Sequence, residues 1–201
     1  MKKITKGNFG YISYEKKKRF LITLILLAVP VFIFVTAYIY FGTNKTLWSI
    51  LAIVGCLPAC KSMVGMIVMF MQKPTEQQIY DEIAAHSGDL TMAYELVVTT
   101  YDKNSYIDAV AICGNTVVAY SSHKDTDAAF AANHIQKILH HNGYKADVKV
   151  LKDVKPFLER LDSMNEHKAS LEADIPFTPD ERYPDLSRND LIKHTILAIS
   201  L

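Results

Sequence analysis

At 201 residues the chain has room for a short leader, two membrane spans and one modest domain, and for no second soluble core. Its 22 basic and 21 acidic residues leave a formal charge of +1, so nucleic-acid binding has no global electrostatic support and has to be argued from a local site. The three cysteines form neither a disulfide framework nor a CxxC metal or redox site, which suits a reducing compartment.

Residues 1–19 read as a basic leader carrying Lys2, Lys3, Lys6, Lys16, Lys17, Lys18 and Arg19. Residues 20–42 then run without a charge, and at about 1.5 Å per residue a helix of that length covers the roughly 30 Å of a hydrocarbon core. The run is too long for a signal peptide and no small-residue cleavage pattern follows it. Pro30 predicts a bend, which a membrane helix tolerates because water does not compete for the freed carbonyl. Tyr38, Tyr40 and Trp48 bracket the connection 43–46, as interfacial aromatic rings do.

The second span, 47–71, completes a transmembrane hairpin over 20–72 and contains Pro58 and Lys61. A lysine at mid-depth costs on the order of 3 kcal/mol, so Lys61 is expected to snorkel, to face protein, or to line a water-filled path. Ala52, Gly55, Ala59 and Ser62 share a helix face, a small-residue stripe suited to close approach by the first span or by a second copy of the chain. The leader outweighs the single Lys45 of the connecting loop, so both termini are expected in the cytoplasm, with a bacterial plasma membrane as the bilayer. The same basic cluster beside the membrane reads first as a topology signal, with attraction of anionic lipid as the alternative.

The cytoplasmic domain is assigned to 75–201. Thr75 and Gln78 have capping-box spacing before a first helix that ends near Gly88. Strand-like runs follow at 92–101, 106–112 and 116–121, the last two joined by the Gly114–Asn115 turn, and they predict an antiparallel meander. A second helix, 126–141, sets Ala128, Ala131, Ile135 and Ile138 on one side. Residues 146–151 alternate as a strand, and a third helix opening at Asp153 and Pro156 buries Phe157, Leu161 and Met164. After a looser stretch with Pro176, Pro179 and Pro184, Ser187 and Asp190 cap a last apolar helix that needs docking on the domain, the membrane surface or a neighbour. The class expected is α+β: an N-terminal two-helix hairpin, then an α-β-β-β-α-β-α domain with a mixed sheet and a C-terminal helix.

The segment YIDAVAICGNTVVAYSSHK, within that element order, resembles the metal-binding hairpin of the PD-(D/E)XK, or restriction-endonuclease-like, superfamily. The likeness covers about half of the chain. It implies an aspartate on the second strand, here Asp108, and an acid-x-lysine triplet on the third, together holding Mg²⁺ and activating water. This chain places Ser121 where the second acid is expected and His123 where the lysine is expected, with Lys124 one step on. Glu82 or Glu76 of the first helix would be a further ligand. Taken by itself, Asp108 reads as a strand-edge carboxylate facing water.

Seven histidines are scattered; His134, His140 and His141 lie near one helix face but lack HExxH spacing. Walker, GxGxxG and GxSxG patterns are absent. With no complete active site, no cofactor and no metal assigned, the sequence reads as a membrane-anchored, non-catalytic interaction or scaffold protein with a degenerate nuclease-like domain. Its expected partners are the bilayer and a second copy or another membrane protein. The alternatives are a membrane-bound, Mg²⁺-dependent nuclease acting on nucleic acid, and a transport or sensing subunit that uses Lys61.

Overall fold

The computed structural model describes residues 4–100, 104–173, 175, 177 and 183–201. Lys2, Lys3, Tyr101, Pro176 and Pro179 fall outside this set. The chain divides into two compact units, Ile12–Lys73 and a second made of Met1–Tyr11 with Pro74–Leu201.

The first unit is a pair of helices, α1 (Tyr11–Phe41) and α2 (Leu47–Met71). Thr46 caps α2 by accepting a hydrogen bond from the Ser49 backbone N–H. Both helices are long and apolar enough to cross a membrane, and only 17% and 11% of their most apolar windows is buried. A core helix of a soluble protein would be mostly covered; these show their Leu, Ile, Val and Phe side chains to the surroundings.

Each helix continues through its proline, Pro30 or Pro58. They run antiparallel: Thr23 Oγ1 lies 2.8 Å from Ser62 Oγ, and Arg19 Nη1 donates to the Gly65 carbonyl at 3.2 Å. Ala52 and Ala59 are buried, and a Cβ added at Gly55 would stand 3.4 Å from Pro30 Cβ. The small-residue stripe therefore faces the first helix of its own hairpin, where the missing side-chain volume lets the two backbones approach.

The second unit is α+β with a mixed sheet of four strands. Its elements are α3 (Gln77–His86), β1 (Thr91–Thr99), β2 (Asn104–Cys113), β3 (Thr116–Tyr120), α4 (Ala128–His141), β4 (Asp147–Leu151), α5 (Val154–Glu166), α6 (Lys168–Glu172) and α7 (Arg188–Ala198). The strand order is β1-β2-β3-β4, antiparallel except for the β3–β4 pair. One sheet face is covered by Ile135 and Leu139 of α4 with Ile192 and Ile196 of α7. The other is covered by Ile83 of α3 and by Phe157, Leu158, Leu161 and Met164 of α5.

Several helix details differ from expectation. The buried line of α4 is Ala131, Ile135 and Leu139, while Ile138 is half-buried, because an i, i+4, i+8 row tracks the sheet. Its cap is Asp127, whose side chain accepts from the Phe130 N–H. The final helix is capped as expected by Ser187 and takes the first of its expected docking places, the domain itself: Leu191, Ile192 and Ile196 are buried, the two isoleucines in the core cluster on the sheet.

The outer edge of β1 is also covered. Tyr94 N–H donates to the Gly7 carbonyl at 2.9 Å, Leu201 N–H donates to Val97 at 2.9 Å, and Lys6 Nζ donates to the Ser200 carbonyl at 2.6 Å. Phe9 stacks on Tyr80 with ring centroids 4.0 Å apart. Residues 4–11 thus form part of the globular unit and occupy backbone groups that an open strand edge would offer to another chain.

Candidate functional site

Side chains on a regular strand alternate between faces, but β1 and β2 both skip a beat at one level. Ala93 and Leu96 share a face although three apart, and so do Ile107 and Val110. The ladder pairs Tyr94 with Ala109 and Leu96 with Ile107, so the register survives because each strand carries one extra residue, Glu95 or Asp108. Glu95 takes φ 54°, a left-handed conformation that costs a side-chain-bearing residue about 1 kcal/mol. This matched irregularity turns Asp108 toward the entry of α3.

Asp108 is only 2% exposed, so it is not a carboxylate facing water. Its Oδ1 accepts from Thr75 Oγ1 at 2.9 Å, and its Oδ2 accepts from the Ser122 backbone N–H at 2.6 Å. Thr75 therefore does not close a capping box. Glu76, not Thr75, is the N-cap of α3 and makes no side-chain cap bond, while the threonine hydroxyl is spent on the buried carboxylate. His123 Nε2 stands 3.9 Å from Asp108 Oδ1, and its ring lies 5.0 Å from that of Tyr106.

Of the sequence candidates, then, Asp108 and His123 meet. Ser121 lies beside them but donates its hydroxyl to the Tyr106 carbonyl at 2.6 Å, and Thr126 bonds the same residue's backbone N–H and carbonyl. Glu82 and Glu76 are exposed on α3 and make no hydrogen bond to Asp108. Thr75 and Tyr120 join the site without a signal in the sequence. A threonine just before a helix reads as a cap, and Tyr120 reads as an ordinary strand aromatic. His140 is occupied elsewhere, its Nε2 lying 3.2 Å from the Ala146 carbonyl.

Burial raises the pKa of the Tyr120 hydroxyl, and the charges of Asp108, Asp153, Glu82 and Glu76 add to the effect. Four carboxylates thus act on one phenol, yet among the described residues no three Asp, Glu, His or Cys converge as metal ligands. Mg²⁺ demands an octahedral set of oxygens near 2.1 Å. One carboxylate with each oxygen engaged by an internal donor, a hydroxyl turned to a carbonyl, and an imidazole do not fit that demand.

The wider domain also holds Tyr94, whose pKa burial, and then the neighbouring Tyr80, push up to about 12. A folded-state pKa above the unfolded value near 10 means that the neutral phenol's contribution is complete below pH 10. It is lost as pH climbs toward 12, and Tyr120 acts in the same direction. Denaturant midpoints of the wild type are therefore expected to fall through this alkaline window, and Tyr94→Phe is expected to flatten part of the fall. An identical slope in both proteins would refute the assignment.

Compared with family models, curated proteins and solved structures, the chain has no match.

Proposed function

We propose that this chain is a membrane-anchored, non-catalytic interaction module, its hairpin embedded in the bilayer and its α+β domain held in the cytoplasm to bind a protein partner or a second copy. The observation that carries the non-catalytic reading is Asp108. The one acid in the motif-like segment spends both oxygens tying the approach to α3 and the exit from β3 onto β2. A carboxylate used as an internal tie serves the scaffold, and a degenerate restriction-endonuclease-like domain is the form of scaffold that the mixed sheet supports.

Membrane embedding is supported by the wide apolar surface of α1 and α2. Topology is supported by two independent features. Residues 4–11 pack on the domain, so the leader and the domain share one side of the membrane. The basic residues preceding the first apolar run then select the cytoplasmic side, that of a bacterial plasma membrane. Protease added to intact cells is expected to spare a C-terminal tag that it removes in inverted vesicles. Digestion from outside would overturn the topology. For the interaction itself, crosslinking of the full chain in its membrane is expected to trap a defined homomer or heteromer, and a strict monomer would count against it.

A membrane-bound, Mg²⁺-dependent nuclease is the second reading, favoured by the acidic surroundings of Tyr120 beside Asp108 and His123. Metal-dependent cleavage of DNA or RNA that vanishes in Asp108→Ala while the fold survives would establish it. The transport reading has no comparable support: Lys61 is exposed on α2, away from the line of residues that packs on α1.

A further inference from the structure

Lys61 remains without a role in the reading above. Its depth follows from the hairpin register: Thr23 stands opposite Ser62, so Lys61 is level with Leu24, five residues beyond Arg19. At 1.5 Å per residue that is roughly 7 Å from the charged end of α1, not the middle of a span. A lysine stem is long enough for snorkelling to carry the ammonium toward that end.

Arg19 is already there. Gly65 lies one turn after Lys61 on the same face of α2, and its carbonyl accepts from Arg19 Nη1 at 3.2 Å. Arg19 Nε donates to Glu15 at 3.3 Å. A guanidinium carries five donor hydrogens, so these two bonds leave others in hand. Among the described residues Lys61 has no ion pair, and the acidic residue of the hairpin unit is Glu15, which also pairs with Lys18 at 2.9 Å. Arg19 thus reaches the backbone one turn from Lys61, and the unit holds one acidic residue to balance the two cations.

We propose that Arg19 and Lys61 together hold the phosphate of an anionic phospholipid of the inner leaflet, the guanidinium fork gripping two oxygens and the ammonium meeting the group from below. Charge complementarity selects the occupant. Lys16, Lys17, Lys18, Arg19, Lys61 and Lys73 gather at this end of the hairpin against Glu15, an excess that a zwitterionic headgroup does not neutralise. Holding the phosphate at Gly65 satisfies Lys61 without a partner inside the protein, which accounts for a cation on an otherwise apolar helix.

The inference rests on the membrane reading, and one experiment separates the two. The full chain is reconstituted in vesicles of phosphatidylcholine with or without phosphatidylglycerol, washed with alkaline carbonate, released in mild detergent, and its retained lipids are weighed by native mass spectrometry. Retention of phosphatidylglycerol over phosphatidylcholine is expected. Lys61→Leu should lower that preference on the order of five-fold, the equivalent of about 1 kcal/mol, and Lys61→Arg should preserve it. Lys17→Leu removes an equal charge from the same collar but not from the Gly65 face, and should change it less. Equal losses in Lys61→Leu and Lys17→Leu, or no preference at all, would overturn the site while leaving the anchor intact. Release of the protein by carbonate would sink the anchor itself.

Discussion

Asp108→Ala is expected to destabilise the domain by about 2 kcal/mol, because it strips the acceptor from the Ser122 N–H and leaves the buried Thr75 hydroxyl without its carboxylate. The Thr75 hydroxyl and the Ser122 N–H both end on this carboxylate; Asp108 and Thr75 are buried, while Ser122 is exposed. Asp108→Asn should recover part of the loss, since its amide oxygen accepts one of the two bonds while its NH₂ faces the other donor. Thr75→Val alone should cost about 1 kcal/mol, and nearly nothing once Asp108 is gone, which a double-mutant cycle on thermal or denaturant unfolding measures. Additive losses would mean that the two residues do not act as one unit. The nuclease reading expects the reverse pattern: little change in stability and complete loss of cleavage.

Gly114→Ala should rival that effect from the opposite end of β2. The β2–β3 turn needs φ +57° at Gly114, and a Cβ there would collide with the Leu171 carbonyl oxygen. Backbone cannot swing aside as a side chain can. The turn is also held from α7, where Arg188 Nη1 donates to the Gly114 carbonyl and Asn189 Oδ1 accepts from its N–H. Left-handed strain of about 1 kcal/mol plus overpacking of about 2 kcal/mol predicts a melting temperature lower by on the order of 10 °C. Gly143→Ala is the control: φ is +85° there, but nothing lies within 4 Å, so only the conformational cost remains. Equal losses at both glycines would show that the Leu171 contact carries no weight.

The parts of this molecule legible from residues alone are those governed by short-range patterning. Two apolar runs of membrane length, one uncharged and one carrying only Lys61, announce the hairpin helices, because a helix rises by a fixed amount per residue and apolar side chains need an apolar surrounding. Alternation over β2 and β3 with a Gly-Asn turn between them announces a hairpin, and Ser187 with Asp190 announces the start of α7. The α+β class and the mixed sheet follow from such elements taken in order.

Contacts distant in sequence were not available to that logic. Thr75 and Asp108 are separated by 33 positions, and a threonine ahead of a helix looks like a cap until a buried carboxylate competes for its hydroxyl. An apolar last helix looks like a docking surface until the sheet it covers is in view. The stripe from Ala52 to Ser62 fits any close-packing neighbour, and Thr23 and Pro30 decide which one. Lys61 sits mid-segment when residues are counted along α2, but the register against α1 brings it near the charged end. Local preferences are set by one residue and its near neighbours, whereas depth, burial and hydrogen-bond partners are set by which segments the folded chain lays side by side.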